Sequence, residues 1–291
     1  MSRSVLFLLF AAANAQTPYT WDLPAGFPKP RIPVDNPMTA AKVELGRYLF
    51  YDTRMSSNGT QSCATCHVQS LAFTDGKPHG EGSTGERHPR GSMSLVNVAY
   101  APVFTWIDQG LHSLEEQAHV PMFGKDPVEL GVNGEKFLTI VRADPVYRKL
   151  FGADPITLDN IIKALACFER SIVSARSPYD RYHFNRDDSA ISAQAKHGEV
   201  LFFSTGFSCF RCHGGPNFTG KPEEEGGYKA PTLRNIAVTG PYMHDGNVNT
   251  LEEAIVHHGT MTNAERADIL EFLRTLTDEP LLHDQRFSRP D

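Results

Sequence analysis

The sequence carries Cys63-Ala64-Thr65-Cys66-His67 and, in its second half, Cys209-Phe210-Arg211-Cys212-His213. Paired cysteines alone would suit a disulfide or part of a zinc site. A histidine set directly behind the second cysteine changes the chemistry. In C-x-x-C-H both thiols can add to the vinyl groups of a porphyrin, and the adjoining imidazole becomes an axial ligand of its iron. Two such pentapeptides, each inside the same longer pattern, predict two covalently bound haem c groups. Cys63, Cys66 and His67 would hold the first, and Cys209, Cys212 and His213 the second.

Outward from these motifs the chain repeats itself. Upstream, Val43-Glu44-Leu45-Gly46-Arg47-Tyr48-Leu49-Phe50-Tyr51 matches Ala195-Lys196-His197-Gly198-Glu199-Val200-Leu201-Phe202-Phe203. Apolar residues recur there at helical spacing, so each block predicts a helix packed on its own haem. Downstream, Leu95-Val96-Asn97-Val98-Ala99 matches Leu233-Arg234-Asn235-Ile236-Ala237. Ser113-Leu114-Glu115-Glu116 likewise matches Thr250-Leu251-Glu252-Glu253, and both tetrads read as capping boxes that start helices. Amphipathic helices are also predicted over about 158–176 and 263–277, while alternating strand patterns are nearly absent. Cys167, beside Leu165 and Phe168, reads as a small buried hydrophobe. The fold class is therefore all-α, with two c-type cytochrome domains related by internal duplication. They span residues 16–185 and 186–291 and are joined through the polar stretch 177–191, SPYDRYHFNRDDSAI.

The first residues, MSRSVLFLLFAAANA, combine Arg3, an apolar run from Val5 to Ala13 and an Ala13-Asn14-Ala15 cleavage pattern. Residues 1–15 read as a cleaved signal peptide, which makes the mature protein periplasmic or secreted. That run is too short to span a bilayer, and no other segment is a membrane candidate. Among 291 residues, 21% are charged and 40% hydrophobic, an ordinary globular balance. The formal charge of -6 argues against a nucleic-acid partner, which needs a concentrated basic face.

The two halves differ where function would reside. Seven residues after Leu251 of the second tetrad stands His258; seven after Leu114 of the first stands Pro121. Histidine can ligate iron and proline has no donor. The second haem is expected to be six-coordinate through His213 and His258, and the first to keep an open face opposite His67. His257, Met243 and Met261 are alternative ligands for the second iron. Gln117 lies one turn before Pro121 on the same helix face, and Glu129 follows in a loop. Were an oxidant such as peroxide to bind that open face, its cleavage would need a proton moved from its inner to its outer oxygen, and Glu129 would be the candidate acid–base and Gln117 a positioning hydrogen-bonder.

Several blocks resemble the di-haem cytochrome c peroxidase and MauG superfamily over nearly the whole mature chain. They are both C-x-x-C-H motifs, Phe73-Thr74-Asp75-Gly76, Ser113-Leu114-Glu115-Glu116-Gln117-Ala118, Pro127-Val128-Glu129-Leu130-Gly131 and Pro241-Tyr242-Met243-His244-Asp245-Gly246. Within it, Phe104-Thr105-Trp106 and the run from Phe123 to Gly131 most resemble the MbnH-like enzymes of methanobactin operons. The resemblance implies that the N-terminal haem reacts with hydrogen peroxide, that Glu129 and Gln117 form its distal pocket, and that Trp106 relays electrons between the haems. It also implies a calcium ion held by Asn97 and by the carbonyls of Thr239 and Pro241.

Departures accompany it. Ordinary members place Met at the position of His258, and MauG and its near relatives place Tyr. The spacing around Trp106 differs by one residue from the ordinary peroxidases, some of which close the first haem with a loop histidine. His79 and His88 lie in the corresponding Gly-rich loop, and the expectation is that they do not close it. The reading is a peroxide-dependent di-haem oxidoreductase that reaches a high-valent state and oxidises a periplasmic protein partner. One alternative is an ordinary peroxidase drawing electrons from a small redox protein. Another is a non-catalytic di-haem electron-transfer cytochrome.

Overall fold

A computed structural model of the chain describes residues 17–107, 110–222 and 227–291, so the leader read over 1–15 lies outside the described residues. Among these residues the chain is helical, with isolated β-bridges and no strand or sheet. The first half holds α1 (Ala40–Phe50), α2 (Cys63–Cys66), α3 (Leu114–Phe123), α4 (Gly134–Ala143), α5 (Pro145–Phe151) and α6 (Leu158–Ser171). The second holds α7 (Pro178–His183), α8 (Ala193–Phe202), α9 (Leu251–Val256), α10 (Asn263–Arg274) and α11 (Glu279–Leu282). No helix among the described residues is long and apolar enough to cross a membrane.

The duplication is visible in how helices cross. In the first half α1 packs on α6, and in the second α8 packs on α10. A Cβ added to Gly46 would lie 2.0 Å from the carbonyl oxygen of Ala164, and one added to Gly198 would lie 1.9 Å from that of Asp268. Both crossings bring backbone against backbone, and only hydrogen fits there. The repeated glycine of the upstream blocks is thus a contact requirement.

The Asn97 and Asn235 blocks play matching parts. Both asparagines adopt left-handed backbone conformations and are fully buried. Asn97 N–H donates to Ile172 O at 2.9 Å and its Oδ1 accepts from Ser174 N–H at 2.6 Å. Asn235 N–H donates to Leu276 O at 3.0 Å and its Oδ1 accepts from Asp278 N–H at 2.7 Å. Each clamp captures backbone groups just past a helix. This is why α6 and α10 stop at Ser171 and Arg274, short of the expected ends at 176 and 277.

Two further expectations change. The polar stretch 177–191 contains α7, opened by a Ser177–Asp180 capping box. Asp180 is polar in sequence but buried in a two-pronged pair with Arg234, at 2.9 Å for each bond. The Thr250 tetrad is a full capping box. In the Ser113 tetrad the serine caps Glu116 N–H, while the Glu116 carboxylate accepts from His112 N–H at 2.6 Å instead of closing the box.

One apolar core gathers Met38, Phe50, Phe73, Phe168 and their neighbours, and a second gathers Phe202, Phe218, Phe272 and Leu276. Tyr179 of α7 packs in the second core, ahead of the division at 185/186, and Leu281, Leu282 and Phe287 return to the first. Cys167 is fully buried with its thiol pushed up to about 11 by burial, which makes it inert.

Candidate functional site

A cavity of about 390 Å³ lies at the second motif, its wall including Cys209, Cys212, His213, His258 and Met261 and, from the first half, Thr74, Gly91 and Trp106. Its size is that of a small-molecule or cofactor site. His213 Nδ1 lies 3.3 Å from Phe218 O, and His258 Nδ1 lies 2.8 Å from Ala254 O. A carbonyl can only accept, so each Nδ1 carries the proton and each Nε2 keeps its lone pair for a metal. Burial pushes His213 down to about 4, which holds its ring neutral as ligation requires.

The centres of the His213 and His258 rings are 6.3 Å apart. Two nitrogens each about 2 Å from one metal, plus the half-widths of two rings, call for roughly 6 Å between centres. These residues therefore fit an iron between them. Of the two adjoining histidines only His258 lines the cavity, and Met243 and Met261 line it as well.

The first motif is built the same way. Cys63 and Cys66 bracket α2, which a Ser62–Thr65 capping box opens. His67 Nδ1 lies 2.8 Å from Phe73 O, again leaving Nε2 available. Phe73 and Phe218 both take left-handed backbone conformations, and bridges Val68–Thr74 and Gly214–Thr219 close the two turns. Those turns aim the two carbonyls at the two imidazoles. Cys63, Cys66, Cys167 and Cys209 form no disulfide. The attachment chemistry fits at both motifs.

The Glu129 loop folds back onto the helix that precedes it. Leu130 N–H donates to Pro121 O at 2.9 Å and Val132 N–H to Met122 O at 2.8 Å, which lays the Glu129 loop on the last turn of α3. Gln117 and Pro121 are half-buried on that helix. Ser83 N–H donates to Glu129 O at 2.7 Å from the other side. A Cβ on Gly82 would come within 1.8 Å of Val128 O, so the Gly-rich loop lies directly against this segment. Burial raises the Glu129 carboxyl, His88 opposes that rise, and the Glu129 charge is felt by both Cys63 and Cys66. Glu129, Gln117 and Pro121 do not line the hollow of about 370 Å³ that His67 shares with Ala64, Gln69, Leu282 and Ser288.

His88 Nε2 lies 3.2 Å from Val128 O, and His79 Nδ1 lies 3.0 Å from His88 O. His79 thus braces its own loop, and His88 ties that loop to the Glu129 segment. Trp106 lines the cavity at the second motif, donates from Nε1 to Gly91 O at 3.2 Å, and accepts at its own carbonyl from Lys229 N–H at 3.0 Å. It is fastened to both halves.

The Asn97 amide joins Ser174, with Oδ1 accepting from N–H at 2.6 Å and Nδ2 donating to the carbonyl at 3.0 Å. Its oxygen keeps a second lone pair. Thr239 and Pro241 line the cavity at the second motif. The sequence reading also passed over the carbonyls of Phe73, Phe218 and Ala254, because a backbone oxygen leaves no mark in residue type. It passed over Glu169 as well, although a carboxylate between Phe168 and Arg170 in an apolar run was a visible signal.

A family model described as di-haem cytochrome c peroxidase matches residues 40–189, a span that includes the first haem motif, Gln117, Pro121 and Glu129. The chain is 33% identical to the methylamine utilization protein MauG of Methylorubrum extorquens, over 93% of this chain and 88% of that one. It is 32% identical to the cytochrome c551 peroxidase of Nitrosomonas europaea, over 84% and 82% respectively. Among solved structures, a MauG-like protein associated with microbial copper homeostasis superposes with a TM-score of 0.87 at 35% identity, covering 94% of this chain and 99% of that one.

Proposed function

Because this chain belongs to the di-haem cytochrome c peroxidase family, we propose that it takes hydrogen peroxide as oxidant at the haem of Cys63, Cys66 and His67 and delivers the oxidising equivalents to a protein partner. The observation that carries this reading is the inequality of the two helix ends. Beyond α9, His258 stands across from His213, whereas the matching place on α3 is Pro121. Proline brings no donor atom, so the face opposite His67 stays open to peroxide.

A haem at this site supplies, when bound, the iron to which peroxide gives up its oxidising equivalents. The chain's own residues manage the protons. Glu129 takes a proton from the inner peroxide oxygen and hands it to the outer one, which leaves as water. Its burial brings proton uptake closer to neutral pH. Gln117, one turn before Pro121, orients the peroxide by a hydrogen bond. Trp106, bonded to Gly91 and Lys229, relays electrons between the halves.

An imidazole where ordinary members carry a thioether lowers the potential of the second haem. That suits a haem that shares oxidising equivalents better than one that stores an electron in advance. It favours a side chain of a partner protein as the final donor, with tryptophan the expected target in an MbnH-like enzyme. The reactions take place in the periplasm or outside the cell, as the leader pattern of residues 1–15 suggests.

The test is the optical and EPR spectrum of the ferric protein before and after one equivalent of peroxide. One high-spin and one low-spin haem, giving a long-lived oxidised state, is the expected result. Two low-spin haems that stay inert until half-reduced would move the assignment to a loop-gated peroxidase fed by a small redox protein.

A further inference from the structure

Superposing the two helix crossings exposes a difference that the haem motifs do not. Gly46 meets Ala164 O and the Phe168 Cβ; Gly198 meets Asp268 O and the Phe272 Cβ. Phe168 therefore corresponds to Phe272, and the next residue, Glu169, corresponds to Leu273. Leu273 is buried on the wall of the cavity that Cys209 and His213, which would carry the second haem, also line. Glu169 is equally buried, at 7% exposure, in the first half. After burial itself, its charge is the strongest influence raising the Cys63 thiol.

The Glu169 carboxyl is poorly matched by its surroundings. Its Oε2 is buried with no hydrogen-bond partner. Arg170, next to it on α6, spends its Nη2 on both oxygens of Glu115 at 3.0 Å and its Nη1 on Ala166 O at 3.3 Å. Glu115, facing from α3, adds a like charge. Cys63 on α2 is a further ionisable neighbour, and a thiol bonded to haem no longer titrates. Leaving a buried polar atom unsatisfied destabilises the fold, so a carboxylate kept at this point needs a reason. Burial pushes its carboxyl up to about 8, so it holds a proton at neutral pH.

We propose that Glu169 is a charge-compensating residue at the attachment edge of the first haem, keeping its proton while that haem is reduced and releasing it when the haem is oxidised. The step balances: one electron leaves the haem for the oxidant, one proton leaves the carboxyl for water, and the charge inside the site is unchanged. Peroxide is the oxidant in turnover, and a redox mediator takes its place in the test. The second haem, with leucine at the same point, has no such partner. This rests on a haem being attached at Cys63 and Cys66, as proposed above.

The experiment is a mediated spectroelectrochemical titration of the holoprotein between about pH 6 and pH 9, following each haem separately. In the parent protein the potential of the first haem falls as pH rises, by up to about 59 mV per unit, the one-electron equivalent of a tenfold change. Glu169→Gln and Glu169→Leu both flatten that slope and leave the second haem as it was. Leucine is the residue the second half already tolerates here, so it stands in if the glutamine variant folds poorly. A purely structural Glu169 would shift the melting temperature with the slope intact, and an unchanged slope in both variants overturns the proposal alone. Absence of covalent haem from a Cys209→Ala, Cys212→Ala protein on a denaturing gel overturns it together with the reading beneath it.

Discussion

At the scale of single residues, the three candidate iron ligands share one device. His67, His213 and His258 each give Nδ1–H to a backbone carbonyl, at 2.8, 3.3 and 2.8 Å, and so present Nε2. Replacing His258 by Ala is expected to convert the second haem to a high-spin form, read as a second high-spin EPR signal. A spectrum that stays low-spin would transfer the ligand role to Met261 or Met243, which share the cavity wall. Glu129→Gln removes the proposed proton carrier and is expected to slow the reaction with peroxide by about 10²–10⁴; stopped-flow rates equal to the parent's would remove Glu129 from the mechanism. The sign of its pH effect follows from burial. The folded carboxyl titrates above the ordinary value of 4.5, so its basic form, and the rate with it, is lost as pH falls through that raised value. The glutamine variant has no such limb.

At the scale of elements, the glycine crossings set the distance between helices. Gly46 on α1 and Gly198 on α8 leave no room for a methyl group against the facing carbonyls. Overpacking of a well-filled core typically costs about 1–3 kcal/mol. Gly46→Ala and Gly198→Ala should each cost at least that, because a backbone atom cannot rotate away. Denaturant unfolding checks the cost, and midpoints matching the parent would mean the helices slide apart freely. The repeated glycine was legible in the sequence, but its purpose was not: the oxygen it faces belongs to α6 or α10, far along the chain. The same limit applies to the Asn97 block. Its repeat was plain, yet that its amide would meet Ser174 depended on where the end of α6 arrives.

At the scale of the whole molecule, two cores are bound together by features that cross between them. The C-terminal Leu281, Leu282 and Phe287 pack into the first core. Arg234, paired with Asp180, lies with its guanidinium 5.1 Å from the ring centre of Phe27 in the N-terminal segment. Asp180→Asn would leave that cation buried and unpaired, a change that costs about 3–5 kcal/mol. A fall of that size in chemical denaturation is the expected outcome, and a loss below about 1 kcal/mol would mean that water reaches Arg234. Trp106, the proposed relay, belongs to this set, fastened to Gly91 on one side and Lys229 on the other.

The haem-attachment motifs, the helical class and the duplication were determined by the sequence itself. Each depends on spacing over a few residues or on the same short blocks appearing twice. The unequal positions of His258 and Pro121 were readable for the same reason, since each is counted from a helix start that its own residues specify. Tertiary structure alone decided that the Glu129 loop lies on α3, that Asn97 closes on Ser174, and that Glu169 is buried with an oxygen unmatched. Those outcomes turn on contacts between distant segments. Local spacing carries no record of them, because what a side chain meets depends on the path of the chain in between.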